Sequence, residues 1–350
     1  LLIYFWRRAT PGAASCVAPG PATTHAPPPA SVNDPASSGT KRAKVLSLMA
    51  VDGRGDDTSS VGASTYEWFS EAGARTLLAA GAGPAWLEAA PLALDRMARR
   101  FEIEIDGPLP GGHTGVTGFG HGPDGPVVAK LVFDAFFASR EITSLGFLAS
   151  SGRVPKVVAA DPAAGFLATE RILPGTPPSG SLSAVAELAN ALHAVPVPTE
   201  VPHVSQLLAV RRNEVVHRGQ DLGVTAAQVD SVVAQLSTER PVLCHGDFGP
   251  ANVLVGPGGL WAIDPECVIA PAAFDLAGYA IRQGARTAQQ VALELACAYQ
   301  EDSGAVFAWL AWMALDEAVC HRSYGLEQAR AEWELAEALS VLGPWNHHFR

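Results

Sequence analysis

Long apolar runs are scarce in this sequence. None approaches the roughly 18–20 residues that a membrane-crossing helix needs. The opening Leu1–Trp6 stretch is followed by Arg7 and Arg8, is too short for a signal-peptide core, and has no basic region before it. Cysteine is sparse as well. The five residues Cys16, Cys244, Cys267, Cys297 and Cys320 are an odd number with no CxxC spacing. That argues against a disulfide framework or a zinc site and favours a reducing, cytoplasmic setting. Basic excess is missing too: 24 Lys and Arg stand against 35 Asp and Glu, for a net charge of −11. This disfavours nucleic acid or an anionic membrane as partner. Internal repeats are absent.

What the chain does have is length and apolar content. Its 350 residues, 48% hydrophobic, suffice for two lobes around a cleft and a sizeable core. Charge is uneven: residues 1–48 carry Arg7, Arg8, Lys41, Arg42 and Lys44 against Asp34, so the remainder is more acidic than the total. An acidic body suits a cationic substrate, and it also serves solubility. Residues 9–40 are mostly Pro, Ala, Ser, Thr and Gly and cannot bury enough apolar surface to offset chain entropy. Residues 1–48 are therefore expected to be a disordered N-terminal extension, with Met49 a plausible start.

Residues 49–172 are expected to form a small β-rich lobe with lead-in helices. Residues 84–100 suggest a broken helix, and FEIEI at 101–105 alternates as a strand. A Gly-dense loop covers 111–120, an apolar strand 126–133, a helix 136–150, and two more strands 154–160 and 166–172. The Pro/Gly stretch 173–180 reads as a hinge. From 181 the period becomes helical, with Leu182, Val185, Leu188 and Leu192 in register. Residues 181–350 are expected to be helical apart from 241–266. The fold class is α+β, two-lobed: a small antiparallel sheet with one helix, then a larger, mainly helical lobe.

The chemistry is concentrated in PVLCHGDFGPANVLVGPGGLWAIDPE, residues 241–266. PVLC is an apolar strand leading to a turn, and VLV and LWAI flank GPGG as a hairpin. Asn252 opens that hairpin and Asp264 closes it, so the turn brings both to one end, beside Asp247 on the approach loop. Asp264 and Asn252 offer hard oxygen ligands to Mg²⁺. Asp247 can accept a proton from an incoming hydroxyl. Read blandly, the same residues are caps and turn formers. Lys130 is a lone cation in an apolar strand and needs a buried partner, for which Glu141 is a candidate.

HGDFGPAN followed by AIDPE resembles the HGDxxxxN and ID signature of the aminoglycoside phosphotransferases, a family with a protein-kinase-like fold. The resemblance implies ATP, or GTP, and Mg²⁺ as cofactors. It implies Asp247 as catalytic base, Asn252 and Asp264 as magnesium ligands, and Lys130, paired with Glu141, on the α- and β-phosphates. His245 would hold the loop's shape and Asp275 would brace it; as a cap, Asp275 would serve residues 276–283. Thr114, Gly115 and Val116 would cover phosphate, although the loop lacks GxGxxG order. Glu170 to Ile172 would hold adenine through backbone groups. His193 is expected to be a packed, hydrogen-bonded histidine.

Two departures set the chain apart from protein kinases. No arginine precedes Asp247, and only ten residues separate Asp264 from Asp275. A small, cationic or hydroxylated acceptor is therefore expected rather than a protein. The 84–103 and 261–276 segments look closest to streptomycin 6-kinases. Asp316 and Glu317 could receive an ammonium or guanidinium, or be ordinary helix charges; Trp309, Trp312 and Trp345 read as core. A kinase of a metabolic hydroxyl compound and a non-catalytic nucleotide-binding protein are the competing readings.

Overall fold

In a computed structural model, the described residues are 68–79, 81–109, 114–178, 180–323 and 329–341. The expected extension at 1–48, part of the Gly-dense loop (111–113) and Trp345 lie outside them. The first lobe contains α1 (Glu71–Ala79), α2 (Pro84–Arg99), β1 (Glu104–Pro108), β2 (Gly115–Gly122), β3 (Gly125–Val132), α3 (Ala135–Leu148), β4 (Val157–Asp161) and β5 (Phe166–Glu170). Its five strands form one antiparallel sheet in the order β1-β2-β3-β5-β4. Strand alternation assigns the two faces of β3. Val127, Ala129 and Leu131 join the core with Leu87 and Leu94 of α2, while Val128 and Lys130 line a cleft.

Three local expectations are corrected. The lead-in helix α2 is unbroken, with Pro91 inside it. A buried strip of Leu87, Ala90, Leu94 and Ala98 holds it, and burying such side chains offsets the cost of an interior proline, about 3 kcal/mol. β1 starts later than the alternation suggests, because residues 101–103 are used in the turn that ends α2. Glu102 has φ +58° there, and the Ile103 N–H donates to the Ala98 carbonyl at 3.0 Å. Most of the Gly-dense segment is strand β2 rather than loop. A Cβ at Gly120 would run into the Glu104 carbonyl oxygen, so glycine here permits a close ladder rather than a flexible one.

The second lobe contains α4 (Leu182–His193), α5 (Val204–Arg218), α6 (Ala226–Val233), β6 (Pro241–Cys244), β7 (Val253–Gly256), β8 (Gly259–Ala262), β9 (Val268–Pro271), α7 (Ala272–Ile281), α8 (Ala288–Tyr299), α9 (Ser303–Ser323) and α10 (Ala329–Val341). The non-helical island runs on to 271, because β6 pairs with β9 while β7 and β8 form the hairpin. The start of the expected hinge is pinned to that hairpin: the Gly175 N–H donates to the Val255 carbonyl at 3.0 Å and the Val255 N–H to the Thr176 carbonyl at 2.8 Å. Helix α9 is long and apolar enough to cross a membrane by length and composition, unlike the sequence expectation, yet 78% of that window is buried inside the protein. It is the core helix of this lobe, carrying Trp309 and Trp312 inside. Cys244, Cys267, Cys297 and Cys320 are free thiols.

Asp316 is a further correction. It is 6% exposed and its carboxylate accepts from Arg211 Nε of α5, itself 3% exposed. Its charge is spent tying α5 to α9 rather than offered to a substrate. Removing Asp316 leaves Arg211 with Glu214, 3.1 Å from its Nη1, but strips the carboxylate from its Nε. Asp316→Ala should lower the unfolding free energy by about 1.5–3 kcal/mol in chemical denaturation, the value of a hydrogen bond to a charged group.

Candidate active site

The cleft between the lobes has a volume of about 1440 Å³. Its floor is the loop after β6. Gly246 there has φ +87°, and a Cβ would collide with the Glu266 carbonyl oxygen, so no other residue fits this turn. The loop is held from below by the Asp275 carboxylate, 1% exposed in the first turn of α7. Asp275 accepts the His245 N–H at 2.7 Å and the Gly246 N–H at 3.1 Å, and its Oδ2 lies 3.0 Å from His193 Nε2. His193 Nδ1 in turn meets the Tyr299 hydroxyl at 2.9 Å. Burial alone would raise the Asp275 carboxyl, but the bond to His193 and the backbone donors hold it below its ordinary value. His245 is fully buried, with Nε2 3.0 Å from the Ile263 carbonyl and Nδ1 accepting the Asp247 N–H at 3.3 Å. Burial lowers its pKa and favours the neutral ring.

Above this base the Asp247 carboxylate is clamped on both oxygens. Arg282 Nη2 lies 2.8 Å from Oδ1, and Asn252 Nδ2 donates to Oδ2 at 2.8 Å and to the Asp247 carbonyl at 2.9 Å. Burial opposes ionisation, yet the Arg282 guanidinium outweighs it and holds Asp247 below the usual carboxylate range. With its amide protons committed to Asp247, Asn252 has its Oδ1 left as a donor oxygen. Asp264 comes alongside because the hairpin closes, the Ile263 N–H donating to the Asn252 carbonyl at 2.9 Å. Asp264 itself has φ +56°, a left-handed backbone unusual for a side chain with Cβ. The Asp264 carboxylate and the Asn252 carbonyl are hard oxygens of the kind Mg²⁺ takes.

The sheet lobe contributes the facing charge. Lys130 Nζ lies 2.8 Å from Glu141 Oε2 on α3 and 3.0 Å from Asp264 Oδ1 across the cleft. Burial disfavours the ammonium, but Asp264 and Glu141 together raise its pKa above that of free lysine. In the same cleft, Glu266 has one carboxyl oxygen with no hydrogen-bond partner among the described residues, and burial pushes its pKa up to about 7.

Comparison with known proteins meets this geometry. The phosphotransferase enzyme family pattern matches residues 121–315, more than half of the chain and all of the groups just described. The chain belongs to this family. It is similar to an aminoglycoside 3′-phosphotransferase of Streptomyces ribosidificus, 33% identical over an alignment of 167 residues, with 39% of this chain and 62% of that relative covered. The chain thus spans less than two thirds of that relative's length. Two solved structures share its fold. One is a choline/ethanolamine kinase family protein of Mesorhizobium loti, with TM-score 0.55 and 17% identity over 73% of this chain and 93% of the other. The other is a thermostable mutant of the aminoglycoside phosphotransferase APH(4)-Ia in complex with AMP-PNP and hygromycin B, with TM-score 0.55 and 16% identity over 71% and 97%.

Within this phosphotransferase-family site, Asp247, Asn252, Asp264, Lys130 and Glu141 meet at one end of the cleft, and Glu170 and Ile172 line its side. Thr114 also lines it, but Val116 is fully buried in the lobe core, and Gly115 pairs with Val132 in the β2–β3 ladder, where a Cβ would strike the Leu131 carbonyl. Neither presents a side chain to a phosphate, because the segment is strand. Asp275 is not the cap of its helix; Pro271 holds that position and Asp275 lies inside the first turn. Sequence reasoning missed Arg282, Glu266 and the His321–Glu332 pair. Arg282 had a signal: like Lys130, it is a lone cation ending an apolar run, AFDLAGYAIR.

The Asp275 brace carries a pH consequence. Its native pKa lies below the ordinary value of about 3.9, so its stabilisation is fully present above pH ~4 and is lost as pH falls through the lower native value. Asp275→Asn should cost about 1.5–3 kcal/mol at neutral pH, the value of a hydrogen bond to a charged group, and flatten the acid limb of the stability curve. Denaturation at pH 3–7 checks both.

Proposed function

We propose that the protein is a small-molecule kinase that transfers the γ-phosphate of ATP to a hydroxyl of an aminoglycoside, with streptomycin-like compounds as the narrower candidate class. The observation that carries this reading is the Asp247 carboxylate, fixed on both oxygens by Arg282 and Asn252 at 2.8 Å, beside the Asn252 and Asp264 oxygens. Membership of the phosphotransferase family and the named activity of the Streptomyces relative support it.

Lys130, secured by Glu141, would meet the nucleotide phosphates, and Glu170 to Ile172 would flank the base. Asn252 and Asp264 would hold Mg²⁺, which when bound neutralises charge on the phosphates. Asp247 orients the acceptor hydroxyl. A carboxylate held at low pKa is a weak base, so proton transfer to it comes late, after the oxygen has begun to bond phosphorus. Arg282 on one oxygen and Asn252 on the other keep that carboxylate aimed.

Asp247→Asn keeps the shape and removes the proton acceptor. With streptomycin or an aminoglycoside bearing a free 3′-hydroxyl, kcat should fall by about 10²–10⁴-fold while the Kd for MgATP stays within a few-fold. Near-wild-type kcat would refute the assigned base. Asp264→Ala should abolish Mg²⁺-dependent ATP binding in calorimetry, and Asn252→Ala should weaken it less, since a neutral carbonyl contributes less charge than a carboxylate.

A further inference from the structure

Beyond Arg282 the cleft wall continues along α9 to α10 through three titratable groups that the transfer step does not use. Glu317 Oε1 lies 3.6 Å from Arg282 Nη2, and Glu317 Oε2 lies 3.6 Å from His321 Nε2. On the other side of the ring, His321 Nδ1 meets both carboxylate oxygens of Glu332, at 2.8 and 2.7 Å. All three line the same cleft as Asp247, and each side chain is 16% exposed or less. Starting from Asp247, the charges alternate along this wall: carboxylate, guanidinium, carboxylate, imidazole, carboxylate.

We propose that His321 is a specificity-determining residue for the acceptor, an internal cation seated between Glu317 and Glu332 in the place that a cationic acceptor group must take. The proposal rests on the kinase reading above and names what the far end of its acceptor site selects: an ammonium or guanidinium group.

The argument is one of charge balance. With His321 protonated, Arg282 and His321 leave the five-group wall one net negative charge, and the Glu317–Glu332 gap is already filled by a cation. With His321 neutral, the ring still bonds Glu332, but two negative charges remain on the wall and draw a cation from outside to its face. The charged groups around the ring are Glu317 on its own helix, Glu332 on α10 and, through Glu317, Arg282 at the end of α7; Arg286 and Arg75 line the same cleft farther along. Burial opposes the imidazolium, but the Glu332 bond and the Glu317 charge outweigh it and raise His321 above its ordinary value. The exchange therefore falls above the pH at which a free imidazole loses its proton. The state that binds a cationic acceptor is only partly populated below that pKa, and the observed affinity drops by the populated fraction. The sign is fixed: acceptor affinity rises with pH as His321 loses its proton.

The test is calorimetric titration of the full chain with streptomycin, whose guanidinium groups stay charged throughout, and with kanamycin, between pH 6 and 8.5. For the wild type, the streptomycin Kd should fall by about tenfold across this range, with a proton released on binding at the acid end. In His321→Gln the Kd should be flat with pH and close to the wild-type value at pH 8.5. Glu332→Gln supplies a second readout: the midpoint moves to lower pH, and streptomycin binds several-fold more weakly at pH 8.5. A wild-type Kd that is flat from pH 6 to 8.5, or an unaltered pH dependence in His321→Gln, overturns the proposal. If neither compound binds at any pH while MgATP binds and turns over, the proposal falls and the kinase reading stands with another acceptor. If streptomycin shows the expected slope and MgATP does not bind, the cation gate stands and the kinase reading falls.

Discussion

The buried carboxylate of Asp275 is the constraint on which the site depends. A loop that reverses direction through Gly246 leaves backbone N–H groups pointing inward, and these must be satisfied. Asp275 takes two of them, from His245 and Gly246, and is itself held by His193 and through it Tyr299. The brace therefore spans α4, α7 and α8 before it reaches the loop. Because those helices pack in one core, the position of Asp247 is set by the interior of the larger lobe rather than by the loop's own preferences.

A second constraint joins the lobes. Lys130 on β3 reaches Glu141 within its own lobe and Asp264 from the other. One ammonium between two carboxylates leaves a net negative charge at this end of the cleft. That end has a use for a divalent cation, and Asp264, with 45% of its side chain exposed, is the open member of the trio. Asp247, at the same end, is balanced differently: Arg282 faces both it and Glu317, so charges of alternating sign run from there along the cleft wall.

Much of this was legible in the sequence because it is local. The spacing of Asp247, Asn252 and Asp264 on a strand-turn-hairpin implies their convergence, and a lone Lys130 in an apolar strand demands a partner. Two kinds of feature were not legible. The first is register: a glycine-dense run reads as loop, yet Gly115 and Gly120 are required by the close approach of neighbouring strands in a sheet that only the tertiary structure supplies. The second is which of two adjacent helix carboxylates faces the cleft. Asp316 and Glu317 are neighbours in sequence, but successive helix positions point about 100° apart, so one pairs with Arg211 in the interior while the other lines the cleft. Arg282, Glu332 and His321 lie 35, 85 and 74 residues from Asp247 in sequence, and nothing in local spacing links them.

The central claim is that this charge arrangement moves a phosphoryl group from a nucleotide to a hydroxyl. The most direct measurement incubates the protein with γ-³²P-labelled ATP and a panel of aminoglycosides, with Mg²⁺ and with EDTA, and follows where the label goes. The account predicts labelled aminoglycoside in a one-to-one balance with ADP, lost when Mg²⁺ is chelated. Label appearing only as inorganic phosphate at the rate seen without acceptor, or label transfer that persists in EDTA, would contradict it.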